Sequence, residues 1–229
     1  MNKKLAVYLK LLFVLVIALI GTAQLQSAIP PNEDSVQSLP SAGSSPAATA
    51  LDQLPIKGRA PKTGYSRALF ANGWGNINAC DARNYILTRD LSDVTYLTNS
   101  CKVQSGTLLD PYTGRTIVFL RGETTSDDVQ IDHVVSLSDA WQKGAQALTS
   151  SERLSLANDP LNLLAVDGDT NQQKGDSDAA SWLPPNKAYR CPYVARQIAV
   201  KLKYRLWVTN AEYSAMATIL AGCPEQKLP

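Results

Sequence analysis

"QIDHVVSLSDAW", Gln130 to Trp141, places an imidazole directly after a carboxylate at the end of a strand-like run. His133 is the only histidine among 229 residues. Adjacent residues of a strand face opposite sides. Asp132 and His133 can therefore share a site only where the strand ends and the backbone bends. A neutral imidazole is suited to taking a proton from water near neutral pH. A carboxylate is suited to holding a hard divalent cation. The alternative for an isolated histidine is a local hydrogen bond at a strand edge, so the surrounding pattern has to decide.

Downstream, "NDPLNLLAVDGDTNQQKGD" (Asn158–Asp176) carries three further polar residues of interest. Asn162 interrupts an apolar run, and a buried amide is costly unless it is hydrogen-bonded. It is expected to fix a loop, the alternative being a strand-edge side chain facing water. Asn171 and Lys174 are three apart and share one face of a helix. Asn171 offers a carbonyl oxygen to a metal, and Lys174 offers an ammonium to a phosphate. The alternative is a solvated surface loop.

Working outward, "DVQIDHVV" (Asp128–Val135) and "LNLLAV" (Leu161–Val166) read as strands. "TIVFL" (Thr116–Leu120) is a third, preceded by the turn "DPYTG". "YSRALFANGW", "CDARNYILTRDL", "SLSDAWQKGAQAL" and "SSERLSLAN" read as helices, the last capped by Ser151. A long helix closes the chain, with Val194, Ile198, Leu202 and Leu206 as its apolar stripe. Trp141, Trp182 and Trp207 are expected as core anchors.

At the other end, Lys3, Lys4 and Lys10 precede the apolar run "LLFVLVIALIG" and then "TAQLQSA". This is the order of a secretory signal peptide, assigned to residues 1–28. The run is about half of the roughly 20 residues a membrane span needs. An uncleaved segment retaining the protein at the cell surface is the alternative. Residues 29–54, rich in Ser, Pro and Ala, read as a flexible linker, and residues 55–229 as the folded domain. Cys80, Cys101, Cys191 and Cys223 all lie in that domain. An even count in an exported chain points to two disulfides. Of the three pairings, Cys80–Cys101 with Cys191–Cys223 closes a loop within each region. A zinc site of four thiolates competes weakly, because no C-x-x-C pair exists.

"IDHVVSLSDAW", "NDPLNLLAV" and "NQQKGD", in that order, resemble the HNH, or ββα-metal, nuclease superfamily. The resemblance is strongest to its Asp-His branch, related to the C-terminal domain of GmrSD-type restriction endonucleases. Many exported bacterial proteins are similar from about Ser66 to Cys223, with "DPYTG", "WLPPN" and "YRCPYVARQ" among the shared motifs. The resemblance implies an α+β fold: a ββα-metal core surrounded by helices and stabilised by disulfides. It implies His133 as general base, Asp132 and Asn171 as ligands of one divalent cation, and Asn162 as the brace of the His133 loop. It assigns Lys174 to the scissile phosphate or the departing oxygen. Asp132 and Asn171 stand where the name HNH has histidines, so the ligands are oxygens, which suit Mg²⁺ or Mn²⁺.

Without its leader the chain loses three lysines from 22 basic residues and none of its 20 acidic ones. Bulk charge thus gives no support for a nucleic-acid partner. Local charge does: no acid lies between Asp178 and Glu212, while Lys187, Arg190, Arg196, Lys201 and Lys203 do. These five are the expected phosphate-contacting residues, the alternative being a solubilising helix surface. Tyr189 and Tyr193 read as packing residues rather than base-stacking ones. The function expected is a secreted, monomeric, metal-dependent endonuclease acting on DNA, with RNA as the alternative polymer. The competing expectation is a non-catalytic exported module that binds cell-wall polymer or a protein partner.

Overall fold

The computed structural model describes residues 41–229. The expected signal peptide and the linker as far as residue 40 lie outside the described residues. The described part is mixed α+β, with three small antiparallel sheets, helices and two disulfides. Among the described residues no helix is long and apolar enough to cross a membrane.

The packed domain starts earlier than residue 55. Ser45 caps helix α1, Pro46–Leu51, and Ala47, Ala48, Leu51 and Leu54 are buried against Val194, Ile198, Met216 and Leu220. Ser/Pro/Ala composition hid this element, because alanines bury well against a helix pair although they carry little hydrophobic signal. "YSRALFANGW" forms only a 3₁₀ turn, Arg67–Leu69, anchored by buried Phe70.

A short hairpin, β1 (Asn76–Ile77) and β2 (Cys80–Asp81), leads into α2, Ala82–Asp90. A three-stranded sheet follows: β3 (Ser92–Tyr96), β4 (Val103–Leu109) and β5 (Thr116–Leu120). β3 and β4 had no apolar alternation to reveal them. The turn between β4 and β5 is held by Asp110, whose Oδ2 accepts from Thr113 N (2.7 Å) and Thr113 Oγ1 (2.5 Å).

The third sheet carries the motifs. β6, Val129–His133, pairs antiparallel with β7, Leu163–Asp167, with Asp132 opposite Leu164 and His133 opposite Leu163. All five residues of β7 are buried, which explains its continuous apolar run. Helix α5, Gly168–Lys174, follows β7 without a connecting residue. Asp167 ends the strand and caps the helix, its Oδ1 accepting from Thr170 N (2.8 Å) and Thr170 Oγ1 (2.5 Å). Gly168 is required here, since a Cβ would lie 2.0 Å from the Asp127 carbonyl oxygen.

Between these strands, "SLSDAWQKGAQAL" breaks in two: α3, Leu137–Gln142, and a 3₁₀ turn, Ala145–Ala147. Gly144 sits between them at φ +123°, a conformation that side-chain-bearing residues avoid. α4, Ser150–Asn158, is capped by Thr149 rather than Ser151, in a capping box with Glu152. α6 runs Arg190–Lys203 and α7 Asn210–Ala221. The stripe therefore ends at Leu202; Leu206 lies beyond the helix, although it is buried. Cys80–Cys101 and Cys191–Cys223 are the disulfides, which removes the zinc alternative.

Candidate functional site

His133 ends β6, and that position resolves the strand-parity problem. Asp132 points towards α5, and His133 turns towards the end of α4, yet both line one cleft of about 390 Å³ together with Gln130, Ser136 and Asn171. A second cavity of about 240 Å³, lined by Trp74, Leu137 and Ala157, also borders His133.

The imidazole is tightly positioned. Its Nε2 lies 2.8 Å from the carbonyl oxygen of Ala157. A carbonyl only accepts, so Nε2 carries the proton and Nδ1 of the neutral ring keeps a free lone pair. The ring stacks on Trp74, centroids 5.9 Å apart and 11° from parallel. Asn162, fully buried, clamps the chain just past the strand. Its Oδ1 accepts from Val135 N (2.8 Å), and its Nδ2 donates to Val135 O (3.2 Å) and Leu156 O (3.3 Å). Burial lowers the His133 pKa to about 4, against the opposing hydrogen bond to Ala157. The ring is therefore neutral at pH 7.

This shift has a consequence for stability. The free imidazole value of 6.5 lies above the folded one, so the unfolded chain takes up the proton first and acid favours unfolding. The contribution is fully present above pH 6.5 and declines as pH falls towards 4. Between pH 7 and 5 the loss is expected to be about 2 kcal/mol. No other imidazole exists to mask it. Urea unfolding at the two pH values reads it directly, and His133→Gln is expected to abolish most of the difference. An unchanged difference in that variant would assign the acid sensitivity elsewhere.

Asp132 is the hub of the other side. Its Oδ1 accepts from Lys174 Nζ (2.8 Å), and its Oδ2 accepts from the hydroxyl of Tyr112 (2.5 Å). Burial and the Asp132 carboxylate push the Tyr112 pKa well above its ordinary range, so the phenol stays a donor. Lys174 also donates to the carbonyl of His133 (2.9 Å) and is fully buried. The expected contact of Lys174 with the phosphate is thus not what the fold provides. Its ammonium is held under the strand, orienting Asp132 and the His133 backbone.

Asn171 donates through Nδ2 to Gln130 Oε1 (2.9 Å), which leaves its Oδ1 without a partner among the described residues. A carboxylate and a free carboxamide oxygen lining one cleft are the hard donors that Mg²⁺ takes, with water and phosphate oxygens supplying the rest. The donor set fits such a cation. Among the described residues no group of three His, Cys, Asp or Glu side chains is placed to hold a metal.

The five basic residues do not line the cleft. Lys201 is fully buried, its Nζ 2.9 Å from Glu212 Oε1, and is corrected from a nucleic-acid contact to a core ion pair. Burial opposes its charge, and Glu212 and Asp139 outweigh that, raising its pKa. Arg190 donates to Pro184 O (2.9 Å), Arg196 to Leu163 O (3.4 Å), and Lys203 pairs with Asp159 (2.6 Å). Lys187 is exposed. Tyr193 is buried and accepts from Gln197 Nε2 (3.0 Å); Tyr189 packs beside Tyr112. Trp141, Trp182 and Trp207 are partly buried at the edges of the core. The residues that sequence reasoning missed are Tyr112, Trp74 and Arg67. Tyr112 left one signal, an aromatic inside a turn where tyrosine has no turn role.

Residues 72–219 match the family described as GmrSD restriction endonucleases, C-terminal domain, and the chain belongs to that family. A protein of Arthroderma benhamiae described as "Uncharacterized secreted protein" is 42% identical over 197 residues, covering 85% of this chain and 89% of its own length. No solved structure matches.

Proposed function

We propose that the protein is a secreted, metal-dependent endonuclease that hydrolyses phosphodiester bonds, DNA first among its substrates, with β6, β7 and α5 as a ββα-metal unit. The observation that carries this is the oriented His133: neutral at pH 7, its Nε2 proton fixed on Ala157, its Nδ1 free, in a cleft shared with Asp132 and Asn171. The family match and the secreted relative support it.

In this mechanism Nδ1 of His133 takes a proton from the attacking water. Asn162 holds the loop beyond His133, and the Ala157 carbonyl holds its tautomer. Lys174 and Tyr112 fix both oxygens of Asp132, so the carboxylate is aimed without needing to reorganise. Asp132 and the Oδ1 of Asn171 are the groups that would hold Mg²⁺ or Mn²⁺. Such a cation, when bound, supplies charge stabilisation to the phosphoryl and leaving oxygens.

The test uses the mature chain and supercoiled plasmid. Nicking is expected in Mg²⁺, lost in EDTA and restored by excess Mg²⁺. Mg²⁺ is also expected to raise the melting temperature of the wild type and not of Asn171→Ala, a readout independent of activity. Undiminished nicking in EDTA would remove the cation. Failure to cut any nucleic acid would favour a non-catalytic binding module.

A further inference from the structure

The proposed reaction needs a cation for the phosphate, and the two expected suppliers are committed elsewhere. Lys174 is buried on Asp132, and the basic residues of α6 lie outside the cleft. Lys62, near the rim, pairs with Asp176 at 2.8 Å. One cationic side chain lines both cavities that flank His133: Arg67. It is exposed, and its guanidinium has no hydrogen bond or ion pair among the described residues. Its backbone is nonetheless fixed. Ser66 Oγ accepts from Ala68 N (3.3 Å), and Phe70 buries the end of the turn. A held backbone presenting an unpartnered guanidinium beside a catalytic imidazole is the arrangement that takes a phosphate through two parallel N–H bonds. An internal phosphodiester has a nucleotide on each side, and two distinct cavities share the Arg67–His133 pair as lining.

We infer that Arg67 binds the phosphodiester beside His133, with one flanking nucleotide in each cavity. This rests on the nuclease reading and assigns its substrate contact. The test reads binding in a His133→Ala parent, whose cleavage is too slow to consume the probe during the measurement, using a fluorescein-labelled duplex oligonucleotide and polarisation across a salt series. Arg67→Gln in that parent is expected to raise Kd at least about tenfold and to reduce the salt slope by about one. Arg67→Lys is expected to keep the slope and recover only part of the affinity, because the charge remains and the planar fork is lost. Neither substitution removes a protein contact, so melting temperatures are expected to match the parent. If Arg67→Gln leaves Kd and slope unchanged while the wild type still nicks plasmid, the Arg67 assignment is overturned and the nuclease reading stands. If the wild type neither binds nor nicks nucleic acid, both fall.

Discussion

Replacing His133 with alanine is expected to slow single-turnover cleavage of a duplex oligonucleotide by about 10²–10⁴-fold, the usual contribution of a positioned general base. The effect belongs in the chemical step and not in binding, because the proposed role of the imidazole is to take the proton of the attacking water and not to hold the phosphate. Alanine also leaves the Ala157 carbonyl without its donor, which costs about 1–3 kcal/mol of stability. His133→Gln separates the two effects. A glutamine amide nitrogen overlays Nε2 and can still donate to Ala157 O, but it has no lone pair of suitable basicity, so stability is expected to recover while cleavage stays slow. A variant that melts like the wild type and cuts at the wild-type rate would place the base elsewhere.

Replacing Lys143 with methionine is expected to be the most damaging change outside the cleft. Its Nζ, fully buried, meets Asp139 Oδ1 (2.7 Å), Asp178 Oδ2 (2.6 Å) and Glu212 Oε2 (2.6 Å). Lys201 and Arg59 complete the cluster, with Lys201 2.9 Å from Glu212 and Arg59 2.6 Å from Asp178. Three cations thus balance three carboxylates. Burial works against the Asp178 carboxylate, and the hydrogen bond and charge of Lys143 overcome it, lowering the pKa to about 2. Removing the Lys143 ammonium leaves an uncompensated buried negative charge, and breaking such a pair costs about 3–5 kcal/mol. That is a large part of the 5–15 kcal/mol that typically holds a domain together. Urea unfolding followed by tryptophan emission measures the loss. The exposed Lys62–Asp176 pair, with both side chains more than half accessible, is the control: Lys62→Met is expected to leave the urea midpoint nearly unchanged. Equal midpoints for the two variants would contradict the cluster's structural role.

Much of the sheet that carries the site was legible in the sequence. "DVQIDHVV" and "LNLLAV" differ from β6 and β7 only at their ends, and the Asn171–Lys174 spacing is helical in α5. These segments are legible because strand and helix periods differ and both elements are short and well bounded. The rest was hidden for specific reasons. Lys201 looked like a surface charge, yet it lies seven residues from Val194 and three from Ile198, on the buried side of the same helix. Helical geometry contained that fact, and the habit of reading lysine as solvent-facing concealed it. Lys174 shows the same failure, since a charge that pairs with Asp132 across the sheet leaves no trace in local sequence. Arg67 and Tyr112 reach the site from a turn and a hairpin loop far away in the chain, where no periodicity exists to announce them. Helix α1 is hidden within linker-like sequence because alanine-rich composition cannot distinguish a tether from a segment that packs closely.

The most direct test uses the fact that the protein has a single imidazole. With ¹⁵N-histidine labelling, every imidazole nitrogen signal belongs to His133. The general-base role of His133 requires a neutral ring at pH 6 with its proton on Nε2 and an unprotonated Nδ1, becoming cationic only as pH approaches 4. A ring already charged at pH 6, or a neutral ring with its proton on Nδ1, would mean that His133 cannot take a proton from water in the cleft.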